Sequence, residues 1–275
     1  MPSAGTRLWP MNTTPPLLIS AHAGGVLRLV LNRPEARNAL SSELMAALQA
    51  ALDGAAADNA TRVVVIAANG PVFSSGHDLK ELAARRADRD AGRAAYAALF
   101  TQCSALMQAI ERLPKPVIAQ VQGTATAAGC QLVASCDLAI ASSAAHFATP
   151  GVNIGLFCST PMVALSRNVG RKAAMAMLLT GDLIDAEHAV RIGLINRSVT
   201  PETLEADVMA LASKIAAKPR ATIKAGKDAF YRQLEMPVGD AYDYVSKVMT
   251  QNMLDAEACE GISAFLEKRE PQWPI

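Results

Sequence analysis

Aromatic residues are scarce: Trp, Tyr and Phe together make up 4% of the 275 residues. Proteins that grip single-stranded nucleic acid stack its bases on such rings, so that role is excluded. Charge of one sign is equally short, with 26 Lys+Arg against 25 Asp+Glu and a net charge of +1. A globally basic nucleic-acid binder needs clustered surplus cations to displace phosphate counterions, and no such surplus exists here. Metal-ligand spacing is missing as well. The five cysteines (Cys103, Cys130, Cys136, Cys158, Cys259) and four histidines (His22, His77, His146, His188) are scattered, with no C-x-x-C pair. Cysteines so placed read mostly as small buried hydrophobes in a reducing compartment, cytoplasmic or, for a eukaryotic source, mitochondrial. No run approaches the ~18 apolar residues of a membrane helix. Residues 1–16 lack the apolar stretch of a signal peptide and are too poor in Arg for a typical transit peptide. They are expected to form a disordered extension, with Met11 an alternative start.

What is present is aliphatic. Hydrophobic residues reach 51%, mostly Ala, Val, Leu and Ile, and charged residues 19%, which rules out intrinsic disorder. The length suits one large domain, or a main domain with an appendage, and the composition suits helices packed on parallel strands. An α/β enzyme is the expected class.

The pattern along the chain supports this. Leu17–Ile19 and Val26–Leu31 flank Ala23-Gly24-Gly25 as a hairpin. Ser41 or Ser42 caps a helix through Leu44, Leu48, Ala51 and Leu52. Val63–Ala67 is a continuous apolar run, the mark of a strand buried on both faces. A loop over residues 69–76 follows, with Asp78 where a helix cap belongs. A long helix ends at Leu113 before Pro114 and Pro116, and Val117–Val121 is the next buried strand. Gly123–Gly129 reads as a small-residue turn opening onto a helix near Gln131–Ser135. Leu138–Ala141 and the segment around His146–Ala148 are extended. From Pro161 the pattern is helical, broken by Gly181, Gly193 and a strand at Ile195–Val199.

Two strand–loop–helix units stand out, ending at Gly76-His77-Asp78 and Ala127-Ala128-Gly129. Two backbone N–H groups delivered by such loops and converging on one point would form an oxyanion hole. Small residues there allow a ligand close to the backbone. Glycine-rich turns also follow strands for packing reasons alone, and spacing does not separate the two.

The segments Leu31–Leu40 (LNRPEARNAL), Phe73–Leu82 (FSSGHDLKEL), Lys115–Ala119 (KPVIA), Ala128-Gly129-Cys130-Gln131, Cys136–Ala141, Leu179-Thr180-Gly181 and Glu260–Arg269 resemble, in order, the crotonase superfamily, also called the enoyl-CoA hydratase/isomerase family. The similarity runs from about residue 17 to the end. More narrowly, GHDLKEL, AAGCQLVASCD and FATPGVNIGLFCSTP resemble a divergent branch, the third type of enoyl-CoA hydratase domain-containing proteins. The resemblance implies a crotonase-like spiral of ββα units over residues 17–200 and a C-terminal helical trimerisation region over residues 201–275. It implies trimers or dimers of trimers, an acyl-CoA thioester as ligand, lyase chemistry of the kind used in fatty acid metabolism, and no metal or redox cofactor. Neither nucleic acid nor membrane is an expected partner. By position, the backbone N–H groups of His77 and Ala128 would be the oxyanion donors. The CoA wall would include Ala36, Arg37, Ser75, His77, Asp78, Leu79 and Lys80, with Phe265 and Lys268 reaching in from a neighbouring subunit. Lys214, Lys218, Lys224 and Lys227 form a basic face that either meets CoA phosphates or is a solvated helix face.

Two departures bear on chemistry. Hydratases of this family use two glutamates sharing one water, and this chain carries Gln131 and Gly151 at those positions. An amide does not exchange a proton near neutral pH, and glycine has no side chain. The expectation is therefore a thioester-polarising protein in which two-glutamate hydration is in doubt. The alternatives are a non-catalytic acyl-CoA binder, or a CoA-ester hydrolase or isomerase using the His77 ring. Cys158 is a candidate nucleophile with no evident base. Asp137 reads as structural, and Met175, Met177, Met249 and Met253 as core or interface rather than an acyl tunnel.

Overall fold

The computed structural model describes residues 15–273. The extension expected over residues 1–16 therefore falls almost wholly outside the described residues. Ten strands are present among those described: β1 (Leu18–Ala23), β2 (Val26–Leu31), β3 (Val63–Ala68), β4 (Val72–Ser74), β5 (Val117–Val121), β6 (Thr124–Thr126), β7 (Leu138–Ser142), β8 (His146–Ala148), β9 (Ile184–Asp185) and β10 (Arg197–Val199). The α-helices are α1 (Ser42–Ala57), α2 (Leu79–Ala84), α3 (Arg93–Arg112), α4 (Ala128–Ser135), α5 (Pro161–Asn168), α6 (Arg171–Thr180), α7 (Ala186–Arg191), α8 (Leu204–Ala216), α9 (Arg220–Gln233), α10 (Val238–Leu254) and α11 (Ala256–Glu267).

The strands form two sheets, one ordered β1-β2-β3-β5-β7-β10 and a smaller one ordered β4-β6-β8-β9. Three successive turns of chain give one strand to each: β3 then β4, β5 then β6, β7 then β8. Within each sheet these strands pair in parallel. Each turn is thus stacked on the last, and the shared strand direction brings the C-terminal ends of β4, β6 and β8 to one edge. The fold is a crotonase-type α/β spiral with helices at its C-terminal end.

The central strands of the large sheet are buried on both faces, and the alternation of their side chains explains how. Val64 and Ile66 face the main core with Leu44, Leu48 and Leu52 of α1 and Leu106 and Ile110 of α3. Val63 and Val65 face the opposite side with Ile118, Ile140 and the Leu204, Val208 and Ala212 stripe of α8. The first hairpin closes through Gly24 and Gly25, both at positive φ, as a two-residue turn requires.

The C-terminal helices are tied on by polar groups. Asp137 at the head of β7 accepts from Val117 N–H (2.7 Å), from Lys227 Nζ (2.7 Å) and from the Tyr231 hydroxyl (2.8 Å), joining β5 and α9. Glu257 of α11 accepts from the N–H groups of Ala221 and Thr222 at the start of α9 (3.0 and 2.9 Å). Lys115 is buried and directs its ammonium at the carbonyls of Ala55, Ala56 and Asp58, the C-terminal end of α1.

Two boundaries and two short strands differ from the sequence expectations. The helix placed near Gln131 begins at Ala128, because the Gln131 N–H already bonds the Ala127 carbonyl (3.0 Å). The strand placed at residues 195–199 begins at Arg197, since the N–H groups of Leu194 and Ile195 turn back to the Ala189 carbonyl. Strands β4 and β6 lie inside stretches that read as loop and turn. Each is a three-residue run flanked by glycines, which mark the surrounding stretch as a turn.

Candidate active site

Three loops meet at the common edge of β4, β6 and β8: residues 75–78, 127–128 and 149–151. Contact between the first two is backbone to backbone. A Cβ on Gly76, whose φ is +88°, would lie 2.9 Å from the Ala127 Cβ and 3.1 Å from the Ala128 nitrogen. A Cβ on Gly129 would lie 2.3 Å from the Ser74 carbonyl oxygen. Glycine at both places lets the loops close. Ala127 is driven to φ 50°, ψ −120°, an unusual conformation for an L-residue. Its N–H is held by the Ala148 carbonyl (2.9 Å), which ties the second loop to β8.

The two N–H groups of interest are unclaimed by backbone. Ala128 is the first residue of α4, so no carbonyl stands one turn behind it. The His77 N–H donates to no backbone carbonyl among the described residues. The axis of α4 adds the positive end of its dipole at the same place. An arrangement of this kind can stabilise a developing oxyanion.

His77 also brings its ring. Both ring nitrogens are buried without a hydrogen-bond partner among the described residues, and the ring sits edge-on to Phe100 at 5.5 Å. Burial lowers its pKa below the ordinary histidine value, outweighing the Leu40 backbone and Glu81. The sign follows: the folded chain takes up the proton less readily than the unfolded one, so acidification through the ordinary range costs stability. Between pH 7.5 and 5.5 the wild type is expected to lose more thermal stability than His77→Phe. Parallel Tm profiles would refute a buried neutral ring.

The two substituted positions are also buried. Gln131 on α4 takes a weak contact from the Cys103 thiol (3.9 Å) through its Oε1. A Cβ at Gly151 would lie 2.7 Å from the Leu156 carbonyl oxygen and 2.9 Å from Cys158 Sγ. The turn over residues 155–158, held by Leu156 N–H to the Gly151 carbonyl (2.9 Å), fills that space. The space beside Gly151 is occupied by the Leu156 and Cys158 backbone and the Cys158 thiol. Cys158 is a weak nucleophile candidate, since burial raises its thiol pKa despite a hydrogen bond at Gly151.

Of the other residues singled out by sequence, Ala36, Arg37, Ser75 and Asp78 are gathered at the first loop. Ser75 N–H bonds the Arg37 carbonyl (3.1 Å), and Asp78 caps α2. Leu79 and Lys80 are exposed beside them. Phe265, 83% exposed, stands on α11 and Lys268 at its C-terminal cap, and α11 packs on α9 and α10. One lysine corrects an expectation. Lys227 belongs to no solvated basic face, since its side chain is 8% exposed and paired with Asp137; Lys214, Lys218 and Lys224 are exposed. Met177 is core, whereas Met175, Met249 and Met253 are exposed.

A cavity of about 1250 Å³ lies elsewhere, lined by Glu111, Asp137, Asn168, Lys227 and Tyr231 at the far end of α4 and under α9. It shares no residue with the three loops. Sequence reasoning missed Arg33 and Asn38, which lie in a motif that drew notice but carried no assigned role.

A family described as Enoyl-CoA hydratase/isomerase matches residues 21–274. Enoyl-CoA hydratase domain-containing protein 3, mitochondrial, of Mus musculus is 47% identical over 259 residues, spanning 94% of this chain and 85% of its own. The 2,3-dehydroadipyl-CoA hydratase of Escherichia coli is 34% identical over 258 residues, 93% of this chain and 98% of its own. An enoyl-CoA hydratase structure from Mycobacterium smegmatis superimposes with a TM-score of 0.90 at 54% identity, covering 94% of this chain and 99% of that one. The human enoyl-CoA hydratase domain-containing protein 3 gives 0.89 at 46% identity, with 94% and 100% covered.

Proposed function

Because the chain belongs to the enoyl-CoA hydratase/isomerase family, we propose that it binds acyl-CoA thioesters and polarises the thioester carbonyl between the N–H groups of His77 and Ala128, without two-glutamate hydration. One observation carries the reading: the Gly76 backbone lies against Ala127-Ala128 while both N–H groups remain unclaimed. Ala36, Arg37, Ser75, Asp78, Leu79 and Lys80 make the CoA wall, with Phe265 and Lys268 supplied by another copy. Coenzyme A enters as part of the substrate, and the reading requires no metal or redox group.

The missing carboxylates set the expected rate. General acid–base groups contribute typically about 10²–10⁴-fold, so hydration of crotonyl-CoA is expected at trace level although acyl-CoA binds saturably. Turnover matching a two-glutamate hydratase would overturn this, and absence of binding to every acyl-CoA would discard the site. Gln131→Glu returns one carboxylate and is expected to raise hydration only slightly. Gly151→Glu is expected to damage the fold instead, because the turn over residues 155–158 holds the space.

That closed position favours a second reading, binding without turnover. The buried, unpartnered His77 ring favours a third, isomerisation or thioester hydrolysis with neutral imidazole as base. Product analysis with saturated and unsaturated thioesters separates them. His77→Ala abolishes turnover in the third reading and has none to abolish in the second.

Self-association as a trimer or dimer of trimers is part of the same proposal. Val238 and Tyr242 of α10 and Phe265 and Leu266 of α11 expose 70% or more of their surface, apolar area that a second copy would cover. The cysteines, all unpaired, suit a reducing compartment, and the Mus musculus relative is named as mitochondrial.

A further inference from the structure

Glycine at position 76 leaves the first oxyanion loop with a problem. Its lack of a Cβ permits contact with Ala127 and Ala128, but it is also the residue least able to fix its own peptide planes. Something else must hold the direction of the His77 N–H. The segment that does so is Arg33–Leu40, between β2 and α1.

The base of that segment is rigid. Arg37 and Asn38 both have positive φ (52° and 48°), and Asn38 is fully buried. Its side chain accepts from Arg33 N–H (2.8 Å) and donates to the carbonyls of Asn69 (2.8 Å) and Val72 (2.7 Å). The Asn38 carbonyl takes the Ser74 hydroxyl (2.9 Å), and that hydroxyl takes the Gly76 N–H (3.3 Å). On this base, two grips flank the His77 peptide. Before it, the Gly76 carbonyl accepts from Leu40 N–H at 2.7 Å. After it, the Asp78 carboxylate is held by Arg33 Nη2 at 3.2 Å, while Arg33 Nη1 holds the Ala39 carbonyl at 3.0 Å. The Gly76–His77 peptide is trans, so its C=O and N–H point in opposite directions. With the carbonyl fixed on Leu40, the N–H points away from residues 37–40.

We infer that Arg33 is a positioning residue: its guanidinium clamps Asp78 to Ala39 and so holds the His77 N–H on the thioester carbonyl. The inference rests on the oxyanion-hole reading above. Arg33 is distinguished from its neighbour Arg37, which is exposed and has no side-chain partner among the described residues, leaving it for a ligand. Both arms of the Arg33 fork are occupied, and the side chains of Arg33 and Asp78 are only 19% and 16% exposed. A lysine at this position offers one ammonium and cannot reproduce the fork.

The test reads carbonyl polarisation directly and needs no turnover. Cinnamoyl-CoA, a conjugated thioester, absorbs at longer wavelength when its carbonyl accepts strong hydrogen bonds. A matched S-alkyl-CoA thioether lacks the carbonyl and reports CoA binding alone. Wild type is expected to shift the cinnamoyl absorption to the red and to prefer the thioester. In Arg33→Met the thioether should bind within about 2-fold of wild type, while the thioester preference falls roughly 10-fold and most of the shift is lost, a fraction of the 10²–10³ set by complete loss of an oxyanion donor. Arg33→Lys should be intermediate. Asp78→Asn keeps a good helix cap on α2 while weakening the clamp, so it should also lose shift, and it carries the test if Arg33→Met fails to fold. A full shift and full preference in Arg33→Met, or in Asp78→Asn where that variant stands in, overturns the inference. No shift in the wild type overturns the oxyanion-hole reading itself, a separate outcome.

Discussion

Gly129→Ala is expected to cost about 3 kcal/mol and to lower Tm by roughly 6–12 °C, with loss of acyl-CoA binding. The added methyl would sit 2.3 Å from the Ser74 carbonyl oxygen and 2.8 Å from the Ser74 carbonyl carbon and Cβ. Neither neighbour yields easily. Ser74 is the last residue of β4, paired with β6, and its hydroxyl is anchored on the Asn38 carbonyl. Relief requires α4 to move away from β4, and α4 carries the Ala128 N–H. Stability and the placement of the Ala128 N–H therefore fail together. Gly54→Ala is the matched control: that glycine is an exposed interior residue of α1 with nothing within 4 Å of an added Cβ. It is expected to gain up to about 1 kcal/mol from the better helix former. Thermal melts of both variants with binding isotherms make the comparison. A Gly129→Ala protein as stable as wild type would show that the strand–helix contact is looser than described.

The second large effect is at the opposite end of α4. Asp137→Ala leaves the Lys227 ammonium, the Tyr231 hydroxyl and the Val117 N–H without their shared acceptor. Breaking one side of a buried ion pair costs typically about 3–5 kcal/mol, because the remaining charge stays desolvated. Burial already lowers the Lys227 pKa against the opposing pull of Asp137. Lys227 also donates to the carbonyls of Ile110 and Lys115 (both 3.0 Å), so its loss reaches the end of α3 and the start of β5. The expected result is early release of α9 to α11, seen as protease cleavage beyond residue 217 ahead of global unfolding. Asp137→Asn combined with Lys227→Met should recover part of the loss, since no charge is left stranded. Equal cleavage rates in wild type and Asp137→Ala would exclude this joint as the C-terminal anchor.

How much of this was legible in the residues depends on the length of each signal. Val63–Ala67 could be read as a strand buried on both faces because its β-branched run is long enough, and α8 indeed covers the second face. Strands β4 and β6 could not, since each is a three-residue run set among the glycines and small residues of a turn-like stretch. The two loops that carry the His77 and Ala128 N–H groups were visible as small residues after strands. Their meeting was not, because Gly76 and Ala128 are 52 residues apart in sequence and are brought together by parallel stacking. The absence of both carboxylates was plain in Gln131 and Gly151, yet the reason Gly151 admits nothing larger lies in a turn that sequence shows only as FCSTP. Lys227 looked like its neighbours Lys218 and Lys224. Only the position of Asp137 across the fold separates them. Arg33 and Asn38 sat in a matched motif, but their role depends on hydrogen bonds to residues 69–78 that no local pattern announces.

The stacking of β4, β6 and β8 has a kinetic corollary. No hairpin closes any part of the site, and its three loops come from three separate windings of the chain, at residues 75–78, 127–128 and 149–151. Contacts of such long sequence separation form slowly, after the entropy of closing each winding has been spent. A partly wound chain has at most one of the two N–H groups in place and no complete binding surface. On the function proposed above, acyl-CoA would recognise only the finished spiral and would stabilise the native state with the logarithm of its concentration over Kd. Ligand supply and the folded fraction would then be linked through the way the strands are layered.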